Sequence, residues 1–159
     1  MAIGSGRPRI GDKAPEFEVM SSDGRRIRLG DYAAKKNVVL YFYPKDFTLV
    51  CTAEACGFRD MYEGLVSRDT EVIGVSMDSD ASHKDFADKH RVPFPLVSDP
   101  DGVLARSYGA TSTLMGLMGM TKRITFVIDR QGKIAGVFDS AFRASNHLDG
   151  VKNTLAALA

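Results

Sequence analysis

Two rhythms of apolar residues run along the chain. From Asn37 to Tyr43 the segment NVVLYFY is rich in β-branched and aromatic residues and stops at Pro44, the pattern of a strand buried on both faces. From Cys51 to about Ser67 the residues Ala55, Phe58, Met61, Tyr62 and Leu65 recur three and four apart, which predicts an amphipathic helix. Glu71 to Met77 repeats the buried-strand pattern, and Ser82 to His90 has helix-compatible composition before Pro93 and Pro95 break it. Arg123 to Asp129 and Lys133 to Phe138 read as two strands joined by Arg130-Gln131-Gly132, a short link that suits a hairpin. A last helix, capped by Asn146, is expected to reach Leu158 with Leu148, Val151, Leu155 and Leu158 on one stripe.

The βαβα alternation of the first half implies parallel strands, and the late hairpin implies antiparallel ones. A mixed central sheet flanked by helices and closed by a C-terminal helix is the element order of the thioredoxin-like α/β architecture, an order that by itself says nothing of function. The 159 residues suit one domain, 1–159, whose first 16 residues carry Gly4, Gly6, Pro8, Gly11 and Pro15 and read as an irregular arm. Hydrophobic residues at 44% and charged ones at 26% are ordinary for a globular protein. Lys plus Arg number 21 and Asp plus Glu 20, a net charge of +1 with the signs interspersed, so a nucleic-acid or acidic-membrane partner is not expected. No apolar run approaches the ~20 residues that span a bilayer. The N-terminal MAIGSGRPRI also lacks a long apolar stretch before a cleavage site, and a cytoplasmic protein is the expectation, although a mature organellar form would look the same.

Two cysteines are too few for a secreted disulfide scaffold, and in a reducing compartment they point to reactivity or burial. Cys51 follows the loop Pro44-Lys-Asp-Phe-Thr-Leu-Val and stands at or near the first turn of the predicted helix. Unpaired backbone N–H groups and the positive end of the helix dipole favour a thiolate at such a place, and the thiolate is the nucleophile. Thr48, three residues earlier, brings a hydroxyl that donates or accepts toward whatever the sulfur attacks.

Pro44, Thr48 and Cys51, in the spacing P-x-x-x-T-x-x-C, resemble the peroxiredoxin signature, and the surrounding YFYPKDFTLVCTAEACGFRD is similar to the Q-type (bacterioferritin comigratory protein) subgroup. GDKAPEF, VPFPLVSD and RITFVID resemble their peroxiredoxin counterparts too, so the resemblance covers most of the chain. It implies a thiol peroxidase without cofactor or metal, acting on hydrogen peroxide and organic hydroperoxides. Cys51 would be the peroxidatic cysteine, Thr48 a hydrogen-bond partner of the peroxide, Pro44 a shield of the pocket, and Arg123 the guanidinium that stabilises thiolate and transition state. Glu54 is similar to the acidic residue that orients that arginine, while a first-turn Glu favouring the helix dipole is the equal alternative. The resemblance also tilts toward a monomer, with a dimer as the second reading. Where Q-type members usually carry Pro-Gly before the reactive cysteine, this chain has Leu49-Val50.

On the same resemblance Cys56 would resolve the Cys51 sulfenic acid as an intramolecular disulfide, recycled by thioredoxin or a similar dithiol. Five helical residues put the two cysteines about 140° apart around the helix and roughly 8–9 Å apart at Cα, beyond the ~7 Å that a disulfide tolerates without backbone movement. Closing the bond therefore requires the start of the helix to unwind. The bland alternative is that Cys56 packs as a small apolar residue. The alternative function is a thioredoxin-like copper metallochaperone holding a soft ion between Cys51, Cys56 and His147; a cationic Arg123 opposes it. A general disulfide oxidoreductase would carry C-x-x-C, which is absent. His83, His90 and His147 lie apart in sequence, and surface or capping roles are expected. Leu114 to Met120, sulfur-rich and apolar, is expected to pack, the alternative being an entrance for organic hydroperoxides.

Overall fold

The computed structural model describes residues 6–141 and 143–158. Its frame is a five-stranded sheet of β3 (Asn37–Phe42), β4 (Thr70–Ser76), β5 (Leu96–Ser98), β6 (Ile124–Ile128) and β7 (Ile134–Asp139), in the spatial order β5-β4-β3-β6-β7. β3, β4 and β5 run parallel, whereas β6 is antiparallel to both β3 and β7. The central strands β3, β4 and β6 are buried along their whole length, because helices or irregular segments cover both faces. Alternate residues supply two cores. Val38, Leu40, Phe42, Ile73, Val75 and Phe126 face one way with Tyr108 and Leu104. Val39, Tyr41, Val72 and Val127 face the other, against Ala55, Phe58, Phe86, Val151 and Leu155.

Helix α1 (Leu49–Ser67) and helix α2 (Asp80–His90) match the two early helices expected from the pattern, with α1 starting two residues before Cys51. The Ser79 hydroxyl caps α2 by accepting from the Ser82 N–H at 3.1 Å, and the helix stops where Arg91 turns left-handed at φ 53°. A small hairpin of β1 (Glu18–Met20) and β2 (Arg26–Arg28), and the one-turn helices α3 (Val103–Ser107) and α4 (Thr113–Leu117), complete the frame with the C-terminal helix α5 (Ala144–Leu158).

Three expectations need correction. Asn146 does not cap α5, which starts two residues earlier; its N–H instead donates to the Arg143 carbonyl at 3.2 Å. On the expected stripe Val151 and Leu155 are buried and Leu148 half-buried, while Leu158, at the fraying end, is exposed. The irregular segment before β1 is hydrogen-bonded to the β6–β7 end of the sheet without forming a helix or strand of its own: the Gly11 and Ala14 N–H groups donate to the Ile134 and Gly132 carbonyls, and the Ile134 N–H donates back to the Asp12 carbonyl. Residues 1–5 lie outside the described part. The 114–120 segment does not pack. Leu114, Leu117 and Met118 of α4 and the turn after it stand 68%, 82% and 57% exposed.

Two glycines let α5 come close. A Cβ on Gly57 of α1 would run into Leu148 Cδ1, and one on Gly150 would run into the ring of Phe138 in β7. Gly150→Ala is therefore expected to lower stability by about 1–3 kcal/mol, the usual cost of overpacking, seen as a drop of several degrees in Tm. An unchanged melt would show that Phe138 gives way freely.

Candidate active site

The loop after β3 delivers its residues to the end of the sheet where β6 begins. Pairing of Phe42 with Ile124 in antiparallel register places Arg123, the residue before β6, beside the segment that follows Phe42. Thr121 ties the same two segments together, its hydroxyl donating to the Tyr43 carbonyl at 3.0 Å.

Cys51 is the third residue of α1 and is buried. The first N–H groups of a helix have no partner inside it, and here the first intrahelical bond runs from the Thr52 N–H to the Thr48 carbonyl at 2.8 Å. Arg123 reaches this buried end from across the sheet. Its Nη2 donates to Cys51 Sγ at 2.9 Å, its Nη1 to Glu54 Oε1 at 2.8 Å, and its Nε to the Ala141 carbonyl at 3.1 Å. A guanidinium can only donate, so Cys51 Sγ accepts, a role that suits a thiolate and is charge-assisted when the sulfur is ionised. The Glu54 carboxyl is wholly buried and ion-paired with Arg123.

Burial pushes the Glu54 carboxyl up to about 7, against the opposing pull of Arg123. Its second oxygen, Oε2, is buried without a hydrogen-bond partner among the described residues and lies 3.5 Å from His147 Nδ1. The His147 Nε2–H donates to the Ser140 carbonyl at 2.9 Å, so in the neutral ring Nδ1 is the acceptor, taking the Thr125 hydroxyl at 2.8 Å. Burial holds His147 below the ordinary imidazole range; the Ser140 carbonyl works against this and the Arg123 charge adds to it. The ring is thus neutral at pH 7 and sits behind the Arg123–Glu54 pair.

Thr48 occupies the N-cap position of α1 without capping it; its exposed hydroxyl donates to the Lys45 carbonyl at 2.8 Å. That bond uses the hydroxyl proton and leaves the oxygen to accept. Pro44 is half-buried beside it. Between them Asp46 is buried, its Oδ1 taking the Tyr43 hydroxyl at 2.6 Å and its Oδ2 taking His83 Nδ1 at 2.7 Å and the Ser82 hydroxyl at 2.8 Å. Burial pulls Asp46 toward protonation, but hydrogen bonds from His83, Tyr43 and Ser82 outweigh it and hold the carboxyl below its usual range. The loop is therefore bolted to α2 as well as to β6.

Cys56 sits on the same unbroken helix, half-buried, and both thiols are free. Its Sγ faces α2 and lies 3.9 Å from His90 Nδ1. The donors of the copper alternative are thus dispersed: Cys51 on Arg123, Cys56 on His90, His147 on Thr125. Among the described residues the group spaced to hold an ion is Asp46, Asp78 and His83; there His83 Nδ1 bonds Asp46 Oδ2, and Asp78 Oδ2 accepts from the Asp46 backbone N–H and the Ser76 hydroxyl. The surface or capping roles expected for the histidines fail for His83 and His147, both fully buried. A signal for His147 was present: it stands four and eight residues before Val151 and Leu155, on the buried stripe of α5.

A thioredoxin-like sheet whose first long helix carries a buried cysteine in its first turn, held by an arginine that immediately precedes strand β6, defines a protein built for thiol redox chemistry. Residues 10–137 match the AhpC/TSA family, and the chain belongs to that family, the peroxiredoxins. It is 42% identical over 129 residues to peroxiredoxin Bcp of Bacillus subtilis, covering 79% of this chain and 81% of that one. It is 38% identical over 139 residues to the chloroplastic peroxiredoxin Q of Gentiana triflora, covering 87% of this chain; it spans 63% of that relative's length. Among solved structures it superposes on peroxidoxin BcpB from Mycobacterium tuberculosis with a TM-score of 0.88 at 35% identity, over 96% of this chain and 99% of that one.

Proposed function

We propose that the chain is a thiol peroxidase acting through Cys51. The observation that carries this reading is the Arg123 fork, which bonds Cys51 Sγ at 2.9 Å and Glu54 at 2.8 Å, all three side chains being buried. The Cys51 thiolate attacks one peroxide oxygen, an S–O bond forms as the O–O bond breaks, and the departing alkoxide or hydroxide takes a proton to leave as alcohol or water. Cys51 becomes a sulfenic acid. Thr48 accepts a hydrogen bond from the peroxide, Arg123 and the backbone N–H groups of the α1 start stabilise the charge developing on oxygen, and Pro44 shields the pocket. The exposed apolar α4, close in sequence to Thr121 and Arg123, supports organic hydroperoxides as substrates alongside hydrogen peroxide.

Cys56 resolves the sulfenic acid, forming an intramolecular disulfide that thioredoxin or a similar dithiol reduces in the cytoplasm. One domain carries all these residues. The two sulfurs face different sides of α1, so the turn bearing Cys51 must unwind to close the bond. Competition for hydrogen peroxide should show Cys51 oxidised far faster than a free thiol, an activity absent in Cys51→Ser. One equivalent of peroxide should then leave an intrachain disulfide by non-reducing mass analysis, and one added oxygen on Cys51 in Cys56→Ser. A rate no better than that of a free thiol would end the peroxidase reading.

A further inference from the structure

Resting on the proposed peroxidase cycle, we infer that His90 is the catalytic base of its second half, taking the proton from the resolving thiol of Cys56. His90 is the last residue of α2, and α1 grips it at two points. Cys56 Sγ lies 3.9 Å from the His90 Nδ1, within reach for an atom as large as sulfur, and the Arg59 Nη1 donates to the His90 carbonyl at 2.8 Å. Cys56 and Arg59 are three residues apart and share one face of α1. The grip therefore lies on the second and third turns of the helix, past the turn that carries Cys51.

The ring is also placed from behind. It packs on Phe86 at a centroid distance of 5.0 Å and touches Phe47 at 6.3 Å. Phe47 belongs to the loop before Cys51 and holds a left-handed backbone, φ 64°, so His90 stands between the loop that must move and the thiol that waits for it. The buried Asp46–His83 bond fixes α2 two turns earlier. Among charged residues, Arg59 of α1 holds the His90 carbonyl and pairs with Asp60, and Lys89 and Arg91 flank His90 in sequence.

Chemically, a thiolate is the species that attacks a sulfenic sulfur, and imidazole is the side chain suited to take a proton near neutral pH. With the Nε2 tautomer, Nδ1 accepts the Cys56 S–H. Proton transfer leaves a thiolate and an imidazolium, the Cys56 sulfur forms the S–S bond as the Cys51 S–O bond breaks, and the departing hydroxide takes a proton to become water. The Cys51 sulfur is reduced and the Cys56 sulfur oxidised, with no outside reagent.

The chain lacks tryptophan, so the step is best followed by rapid quench and mass analysis. His90→Asn keeps an acceptor near the Nδ1 position but not a base. It should slow conversion of the Cys51 sulfenic acid to the disulfide by about a hundred-fold, the lower end of what proton transfer contributes, and let excess peroxide carry more Cys51 to sulfinic acid. Oxidation of Cys51 itself serves as the control for folding. His90→Gly should lose the same factor and regain it with free imidazole in the buffer, a rescue that a purely structural role would not show. As a second measurement, iodoacetamide should alkylate Cys56 in Cys51→Ser more slowly, at pH 7, once His90→Asn is added. Disulfide formation within twofold of wild type in His90→Asn, or unchanged alkylation of Cys56, overturns the assignment. If wild-type Cys51 is oxidised no faster than a free thiol, the peroxidase reading has failed instead.

Discussion

Replacing Arg123 with methionine is expected to slow oxidation of Cys51 by hydrogen peroxide by about 10²–10³-fold at pH 7, the usual cost of losing a preorganised donor to developing oxyanion charge. Methionine fills a comparable volume but returns nothing to Cys51 Sγ, Glu54 or the Ala141 carbonyl. Removing one member of a buried ion pair usually costs ~3–5 kcal/mol because the partner charge is stranded. Here the partner has an exit. The Glu54 carboxyl already stands at about 7 with Arg123 present, so without that cation it takes a proton at neutral pH and stays buried as an acid. The variant should therefore keep its fold at pH 6–7 and lose stability above pH 8, where holding Glu54 neutral becomes costly. Arg123→Lys keeps the charge, yet an ammonium on a flexible stem replaces a planar fork and does not span sulfur and carboxyl together. It should fall between wild type and Arg123→Met. Rapid-mixing kinetics with each variant checks both, and a rate within threefold of wild type for Arg123→Met would remove the arginine from the chemistry.

That arginine also marks where sequence reading stops. The strands β3 and β4, the helix α1 and the β6–β7 hairpin were legible because each carries a long pattern or a clear turn signal. The hairpin β1–β2, the strand β5 and the helices α3 and α4 are three to five residues long, too short for either period to register. Cys51 and Thr48 were legible from the loop they share and the helix that follows. Arg123 was not: it reads as an ordinary charge opening a strand. What makes it part of the site is the antiparallel seating of β6 on β3, a contact 72 residues long in sequence that the resemblance supplied and local pattern did not. The buried Asp46–His83 and Thr125–His147 bonds escaped notice for a related reason, since a polar residue's burial depends on finding its partner and that partner lies 37 or 22 residues away. The 114–120 segment, expected to pack, stands exposed, because α4 holds itself by its own Ser112 cap rather than by apolar contacts.

Glu54→Gln separates the two things that Glu54 does. The amide keeps the shape and an oxygen for Arg123 Nη1 but carries no charge at any pH. In the wild type the folded carboxyl sits at about 7, above the 4.5 of an unperturbed glutamic acid. An acid whose value rises on folding binds its proton more tightly in the native state, so the stability it contributes is fully present below 4.5. It is lost as pH rises through about 7. The loss approaches roughly 3 kcal/mol once the carboxylate is fully charged, with little discount for solvent because the side chain is wholly buried. Denaturant titrations across pH 4.5–8 should accordingly show Glu54→Gln gaining on wild type as pH rises, and a flat difference would mean that the buried carboxyl is ionised throughout. The kinetic consequence runs the same way. While Glu54 is charged, Arg123 divides its charge between a carboxylate and the Cys51 sulfur; with glutamine, the whole of it is left for the sulfur and for the oxygen departing from the peroxide. Glu54→Gln should then keep Cys51 oxidation within about tenfold of wild type, whereas Glu54→Ala, which leaves Arg123 free to swing from the sulfur, should lose most of the rate that Arg123→Met loses. Loss in Glu54→Gln as deep as in Glu54→Ala would show that the negative charge itself, and not the placement of the guanidinium, is what the reaction uses.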